Sequence, residues 1–164
     1  MIKRISLKQI LQKPSIVCLT AYTVPIANLV DGHVDLILVG DSLGQVLYGY
    51  ESTRQVTIEM MINHAKAVVK ATKKSFVVVD MPYGSYQNSK AQALKNAKKI
   101  LSQTGAMAVK LEGGENIQDT ARYLIDNKIN VMGHIGMMPQ YQQKPKVYGS
   151  TKREKIQFLR MLYH

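Results

Sequence analysis

The sequence predicts an α/β fold of the (β/α)8 TIM-barrel type that is incomplete and contains about five βα units. Two observations predict this fold. Short, nearly continuous apolar segments alternate with longer amphipathic segments along the 164 residues, which is typical of parallel strands that are covered on both faces and connected by helices. Acidic and polar residues recur directly after the apolar segments, where parallel α/β folds place their functional groups.

The apolar segments predict five strands, and the amphipathic segments predict the helices between them. The strands are expected at residues 16–19, 36–39, 76–79, 107–111 and 130–133. Helices are expected directly after Tyr22 and at about 58–71, 89–101, 116–125 and 152–163. Ser89 is a suitable N-cap for the third of these helices. The segment from Gly40 to Thr53, which is rich in Gly, Ser and Tyr, is expected to be a loop.

The length of the chain limits how much of a barrel it can form. An eight-stranded barrel needs about 250 residues, whereas this chain of 164 residues has no room for a sixth strand. Residues 1–164 are therefore expected to be a single partial barrel domain, truncated, with an open edge after the fifth strand. A five-stranded open sheet is the alternative architecture.

Composition and charge exclude several classes of protein. The net charge is +11, but the basic residues are scattered along helix faces and no aromatic residues lie among them, so a nucleic-acid partner is not expected. No apolar run is long enough to cross a bilayer, and the N-terminus lacks the features of a secretory signal. Cys18, the one cysteine, lies in an apolar run and is expected in the core, which fits a cytoplasmic protein.

Three acidic residues occupy equivalent places at the ends of neighbouring strands. Asp41, Asp80 and Glu112 follow the second, third and fourth predicted strands. Each alone would fit a helix cap or a turn, but carboxylates held close together repel one another unless a cation lies between them. Because ligand sets made of oxygen atoms favour Mg²⁺ over zinc, the three residues are expected to form one magnesium site.

Other polar residues are expected at the same end of the strands. Lys110 would either neutralise a substrate carboxylate or a developing oxyanion, or extend its amine to solvent from a strand end. Ser42 would either donate to a substrate carboxylate or cap a helix. His134 is either an active-site residue or a structural histidine. His33 and His64 are interpreted as structural.

Five segments carry a resemblance to a known family. They are LTAY at 19–22, ILVGDSLG at 37–44, DMPYGSY at 80–86, AVKLEGG at 108–114 and VMGHIGMMPQ at 131–140. In composition, order and spacing they resemble the ketopantoate hydroxymethyltransferases. The resemblance implies a (β/α)8 barrel, a homo-oligomer that is typically a decamer, and a role in pantothenate biosynthesis. It also implies transfer of a hydroxymethyl group from 5,10-methylenetetrahydrofolate to 3-methyl-2-oxobutanoate, which gives 2-dehydropantoate.

The resemblance also assigns roles to individual residues. Asp41, Asp80 and Glu112 match the family's magnesium positions, and His134 matches a supporting active-site histidine. The positions that match substrate contacts are Asp41, Ser42, Asp80 and Lys110. The family's general base is a glutamate at the end of the sixth strand, so no residue here is assigned that role. Residues 141–164 diverge from the family and are expected to form a tail.

Three functions therefore remain open. The first is a hydroxymethyltransferase that is weakly active or inactive as a truncated chain. The second is a non-catalytic remnant that binds ligand without turnover. The third is another magnesium-dependent barrel enzyme acting on 2-oxo acids, of the phosphoenolpyruvate mutase/isocitrate lyase type, although the segment at 80–86 favours the first. If the chain is fully active, Glu115 or Glu51 is expected to act as the base.

Overall fold

A computed structural model of the protein describes residues 4–141, 149 and 151–156, and in these residues five strands form one parallel sheet. The strands are β1 Cys18–Thr20, β2 Leu36–Val39, β3 Phe76–Asp80, β4 Ala108–Glu112 and β5 Val131–His134. Each strand pairs in parallel with the next one along the chain. The predicted parallel α/β architecture is therefore confirmed. Within the described residues, β1 and β5 are edge strands with one neighbour each.

Helices precede β1 and connect the strands. They are α1 Leu7–Leu11, α2 Val24–Val30, α3 Leu43–Tyr48, α4 Ile58–Ala71, α5 Lys90–Thr104 and α6 Gln118–Asp126. The hydroxyl of Ser89 accepts a hydrogen bond from the backbone N–H of Gln92, as expected of an N-cap. Residues 152–156 are helical, and the remainder of the predicted last helix lies outside the described residues. Within the described part of the chain, no helix has the length and apolar character needed to span a membrane.

The prediction that the segment from Gly40 to Thr53 is a loop is wrong, because this segment contains α3. This helix has six residues and ends at Gly49, whose φ of 68° is the left-handed conformation that glycine adopts readily. A glycine inside the helix, Gly44, allows close packing, since a Cβ there would lie 2.5 Å from the side chain of Val56. A helix this short, with a glycine in its interior, has too little apolar periodicity for the sequence to reveal it.

The two faces of the sheet are covered differently. Alternate strand residues such as Ile37, Val77 and Val109 belong to the main core, which also contains residues of α2, α4, α5 and α6. Their neighbours in sequence face the other way and form a smaller cluster with Ile10 of α1. The members of this cluster are Ile10, Leu36, Phe76, Val78 and Ala108. In a complete barrel this second face would be the interior.

Cys18 does not lie in the core, contrary to the expectation from its apolar surroundings. The cysteine is exposed, and so is the rest of β1. The reason is that β1 is an edge strand, so an apolar sequence there has no strand on one side to cover it. An apolar run identifies a strand, but burial depends on which elements pack around it.

The turn after α4 is held by the side chain of Asp31, the residue at the C-cap of α2. Its carboxylate accepts hydrogen bonds from the backbone N–H groups of Lys73, Lys74 and Ser75, at 2.8, 3.1 and 2.9 Å. Partial burial raises the pKa of Asp31, but these hydrogen bonds outweigh it and hold the pKa below its usual value. Asp31 thus fixes the entry of β3 into the sheet.

We expect Asp31→Ala to lower the free energy of unfolding by about 1–2 kcal/mol at pH 7, because three backbone donors lose a charged acceptor. Since the pKa is lowered in the folded state, this stabilisation is present above the unfolded pKa, near 4, and is lost as the pH falls below it. Urea unfolding at pH 7 and pH 3 measures both effects. Asp126→Ala, at an exposed aspartate, is the control and should change stability by less than about 0.5 kcal/mol.

Candidate active site

The pairing of the strands brings four polar side chains to one end of the sheet. Asp80 is paired with Lys110, and Glu112 is paired with His134. Counting along the strands, these residues have the same alternation as Val78 and therefore lie on the face that α1 covers. They lie beyond the apolar cluster at the carboxyl ends of the strands, as the sequence predicted.

Lys110 forms a buried ion pair with Asp80. The Lys110 Nζ atom lies 2.6 Å from Asp80 Oδ1 and 3.9 Å from Glu112 Oε1. All three residues are buried, with exposed fractions of 7% for Lys110, 3% for Asp80 and 2% for Glu112. Burial raises the pKa of Asp80 although the Lys110 ammonium opposes it. Lys110 is therefore not a surface lysine, and its charge is held inside the site.

Asp41 is the buried carboxylate of this site that has no cationic partner among the described residues. It follows β2 and is 3% exposed. Its backbone N–H donates to Asp80 Oδ2 at 3.0 Å, and its Oδ2 accepts from the side-chain amide of Gln140 at 2.8 Å. Burial and the neighbouring charge of Asp80 raise the pKa of Asp41 to about 7. A raised pKa of this kind marks a carboxylate whose charge is poorly compensated.

Both carboxylate oxygens of Glu112 have hydrogen-bond partners. Its Oε1 lies 2.9 Å from His134 Nδ1, and its Oε2 accepts the backbone N–H of Gln140 at 3.1 Å. The side chain of His134 is 30% exposed, whereas that of Glu112 is 3% exposed. His134 therefore reaches the open side of the site from a position fixed by Glu112.

Ser42 contacts an aromatic residue, Tyr22, for which the sequence predicted no role. Its hydroxyl lies 2.7 Å from the hydroxyl of Tyr22. Although Ser42 occupies the N-cap position of α3, its side chain makes no capping hydrogen bond with the described residues. His64 binds the backbone oxygen of Tyr22 through Nδ1 and the hydroxyl of Tyr48 through Nε2, which agrees with a structural role for His64.

The residues present fit a magnesium ion in part. Within the described residues, no three His, Cys, Asp or Glu side chains are grouped as a ready-made metal site. Asp41 and Asp80 are adjacent buried carboxylates, and the charge of Asp80 contributes to the raised pKa of Asp41. Mg²⁺ typically binds proteins through one or two carboxylates, with water or substrate oxygens as its other ligands. The pair therefore suits Mg²⁺, while Glu112 lies at the same rim in contact with His134.

Gln140 and Tyr86 join this network and were not predicted as functional residues. The hydroxyl of Tyr86 lies 2.6 Å from Gln140 Oε1 and accepts the backbone N–H of Glu112 at 3.1 Å. Burial raises the pKa of Tyr86, so this phenol remains protonated. Both residues lie in segments that carry the family resemblance, 80–86 and 131–140, but neutral polar side chains show no local pattern from which long-range contacts can be predicted.

A cavity of about 410 Å³ lies between α6 and β5, next to this network. His134 and Glu115 both contribute to its lining. Glu115 is exposed there, and Glu51, the other acid considered as a base, is also exposed. Among the described residues, neither glutamate side chain forms a hydrogen bond with the buried carboxylates.

Comparisons with known proteins agree on one family. A family model described as ketopantoate hydroxymethyltransferase matches residues 2–163. The 3-methyl-2-oxobutanoate hydroxymethyltransferase of Rhodospirillum rubrum is 54% identical over 143 residues, which is 84% of this chain and 51% of that protein. The protein of the same name from Rhizobium etli is 59% identical over 136 residues, 83% of this chain and 50% of that protein. The chain thus spans about half the length of these relatives.

A solved structure shares the fold. The crystal structure of 2,3-dimethylmalate lyase, a PEP mutase/isocitrate lyase superfamily member, matches with a TM-score of 0.60 and 14% identity, and covers 77% of this chain and 49% of that one. At this identity the likeness concerns the fold alone. It agrees with a partial barrel of alternating strands and helices.

Proposed function

The chain belongs to the ketopantoate hydroxymethyltransferase family, and we propose that its site serves the transfer of a hydroxymethyl group from 5,10-methylenetetrahydrofolate to 3-methyl-2-oxobutanoate. The product, 2-dehydropantoate, would enter pantothenate biosynthesis in the cytoplasm. The observation that carries this proposal is the buried group of Asp41, Asp80 and Lys110 at the carboxyl ends of the strands. Because the chain spans about half of its relatives, the complete reaction is proposed for the whole protein, which we expect to be a homo-oligomer.

In this proposal Asp41 and Asp80 are the carboxylates that would bind Mg²⁺, and Glu112 lies beside the metal site. A bound Mg²⁺ would supply Lewis-acid polarisation of the keto group of 3-methyl-2-oxobutanoate, which makes the C3 proton more acidic. The support from this chain is the raised pKa of Asp41, because a buried carboxylate without a cationic partner among the described residues gains most from a bound cation.

Lys110 and Ser42 are proposed to bind the keto acid. Lys110 brings a positive charge into a site otherwise dominated by carboxylates, so it would attract the substrate carboxylate and stabilise negative charge that develops on oxygen. Ser42 has its hydroxyl fixed by Tyr22 at 2.7 Å, which would orient it towards a bound carboxylate. Both residues would therefore position the substrate.

His134 is proposed to support the substrate from the open side of the site. Its Nδ1 is held by Glu112 at 2.9 Å, which fixes the orientation of the ring. Within the described residues Nε2 has no hydrogen-bond partner in the site, so it is the nitrogen through which His134 would contact substrate. We assign no general base among these residues.

Binding without turnover is the second candidate function, and one observation favours it. In the described part of the chain, Asp80 is paired with Lys110 and Glu112 with His134. These two acids are therefore engaged, Asp41 is assigned to the metal, and the exposed Glu115 and Glu51 lie outside the network. Among these described acids, none is left to remove the C3 proton. Such a site would bind Mg²⁺ and the keto acid and leave them unreacted.

Exchange of the C3 proton tests both candidates directly. For the whole protein with Mg²⁺ in D₂O, we expect the C3 hydrogen of 3-methyl-2-oxobutanoate to be replaced with deuterium, as followed by proton NMR, and 2-dehydropantoate to form once methylenetetrahydrofolate is added. Binding of the keto acid without exchange would establish the second candidate. Absence of Mg²⁺-dependent binding would contradict both.

The affinity for Mg²⁺ should depend on pH because of Asp41. Its raised pKa, about 7, means that the carboxyl carries a proton below pH 7, and this proton must leave before the metal binds. We therefore expect Mg²⁺ affinity to fall about tenfold for each pH unit below 7 and to level off above pH 8. Calorimetric titrations with Mg²⁺ between pH 5 and pH 8 measure this. Equal affinities at pH 5 and pH 8 would show that no such proton is displaced.

A further inference from the structure

Gln140 makes hydrogen bonds to several parts of the site through both its backbone and its side chain. It lies in the segment after β5 and is 1% exposed. Its backbone N–H donates to Glu112 Oε2 at 3.1 Å, and its backbone oxygen accepts from Arg54 Nε at 2.9 Å. Through its backbone alone, Gln140 therefore joins the end of β4 and the segment that follows α3 to the segment that follows β5.

The side-chain amide of Gln140 is directed at Asp41. Its Nε2 donates to Asp41 Oδ2 at 2.8 Å and to the backbone oxygen of Met81 at 2.9 Å. Its Oε1 lies 2.6 Å from the Tyr86 hydroxyl and 3.4 Å from Gln87 Nε2. Since Nε2 faces two acceptors and Oε1 faces two possible donors, the partners define one orientation of the amide.

This arrangement fixes one oxygen of the Asp41 carboxylate. Asp41 Oδ2 is held by Gln140, and within the described residues no hydrogen-bond donor contacts Oδ1. The amide is neutral, so it orients the carboxylate without neutralising its charge. The carboxylate can thus present its second oxygen to a cation, as expected of an outer-shell partner that orients a metal ligand.

We infer that Gln140 is a positioning residue that holds the Asp41 carboxylate in the orientation needed to bind a divalent cation. This inference rests on the proposed function in one respect, namely that Asp41 binds Mg²⁺. Gln140 does not itself touch the substrate or the metal. Its effect on the metal is exerted through Asp41. Tyr86 holds the side-chain amide of Gln140 at its oxygen, Oε1.

The test compares Gln140→Met with wild-type protein in calorimetric titrations with Mg²⁺. Methionine keeps the length and volume of the side chain but removes the donor to Asp41. We expect the Mg²⁺ affinity to fall about 10–100-fold, the range seen when outer-shell partners of metal ligands are lost. The matched control is Gln103→Met, the same change at an exposed position of α5, which should leave the affinity unchanged.

A spectroscopic readout separates positioning from a purely structural role. In ¹H–¹⁵N spectra of the wild-type protein, the side-chain amide resonances of Gln140, identified by their absence in Gln140→Met, should shift when Mg²⁺ is added. If Gln140→Met does not fold, as judged by circular dichroism, Tyr86→Phe removes the hydroxyl that holds Oε1 and should weaken Mg²⁺ binding in the same direction by a smaller factor.

The outcomes distinguish this inference from the proposed function. If wild-type protein binds Mg²⁺ and a folded Gln140→Met binds it equally well, or if the Gln140 amide does not respond to Mg²⁺, the inference is overturned while the proposed function stands. If wild-type protein binds no Mg²⁺, both are overturned. A decrease in affinity confined to Gln140→Met and Tyr86→Phe, with Gln103→Met unchanged, supports the inference.

Discussion

Replacing Lys110 with methionine is expected to lower the free energy of unfolding by about 3–5 kcal/mol, the effect of removing one partner from a buried ion pair. The change leaves Asp80 and Glu112 buried without their shared ammonium, which lies 2.6 and 3.9 Å from them. Lys110 lowers the pKa of Asp80, against the effect of burial. Without the lysine Asp80 will bind a proton more readily, so the loss of stability should be greater at pH 8 than at pH 5.

Urea unfolding of matched variants checks this expectation. Lys99→Met removes an ion pair of equal length, 2.6 Å to Glu59, but the two side chains are 39% and 67% exposed. It should therefore cost less than about 1 kcal/mol. The double variant Lys110→Met/Asp80→Asn removes both charges and should be less destabilised than the sum of the single variants. Equal effects of Lys110→Met and Lys99→Met would contradict the burial of this charge.

Asp41→Asn is expected to reduce Mg²⁺ affinity by more than about 100-fold, beyond the range for loss of an outer-shell partner. The stability of the metal-free protein should not fall together with the Mg²⁺ affinity. Because the pKa of Asp41 is raised to about 7 in the folded state, the favourable contribution of its protonated form is present below the unfolded pKa near 4 and is lost as the pH rises through 7. Asparagine stays neutral, so the metal-free variant should be as stable as the wild type at pH 8, or more so.

Calorimetry with Mg²⁺ and urea unfolding in its absence measure the two effects separately. Asp119→Asn makes the same change at an exposed aspartate of α6, whose ion pair with Lys90 is long, at 3.4 Å. That control should bind Mg²⁺ with wild-type affinity. Wild-type affinity in Asp41→Asn would remove Asp41 from the metal site, and a large loss of stability would show that its carboxylate is structurally required.

The sequence predicted the five strands and the end of the sheet where Asp80, Lys110 and Glu112 lie, because both depend on local patterns. An apolar run defines a strand such as β3, and the alternation of side chains then places Asp80 and Lys110 on the same face once the strands pair in parallel. Asp41 lies in the turn after β2, so its place at the same end of the sheet follows from where the strand ends and not from the alternation of side chains.

The roles of Gln140, Tyr86 and Tyr22 could not be predicted in this way. Each acts through one or two hydrogen bonds between residues far apart in the chain, and such contacts leave no periodicity in the sequence. The exposure of Cys18 was missed for a related reason, since whether a strand is central or at an edge depends on elements elsewhere.

The hydrogen bond between Gln140 and Asp41 joins residues separated by 99 positions. Closing a loop of this length carries a large entropic cost, which must be met before the contact gives any stability in return. The sheet, by contrast, grows by pairing strands that are neighbours in sequence. We therefore expect the site to be assembled late in folding. Transient species in which the sheet has formed would lack an ordered cation site. Metal binding would then report that folding is complete.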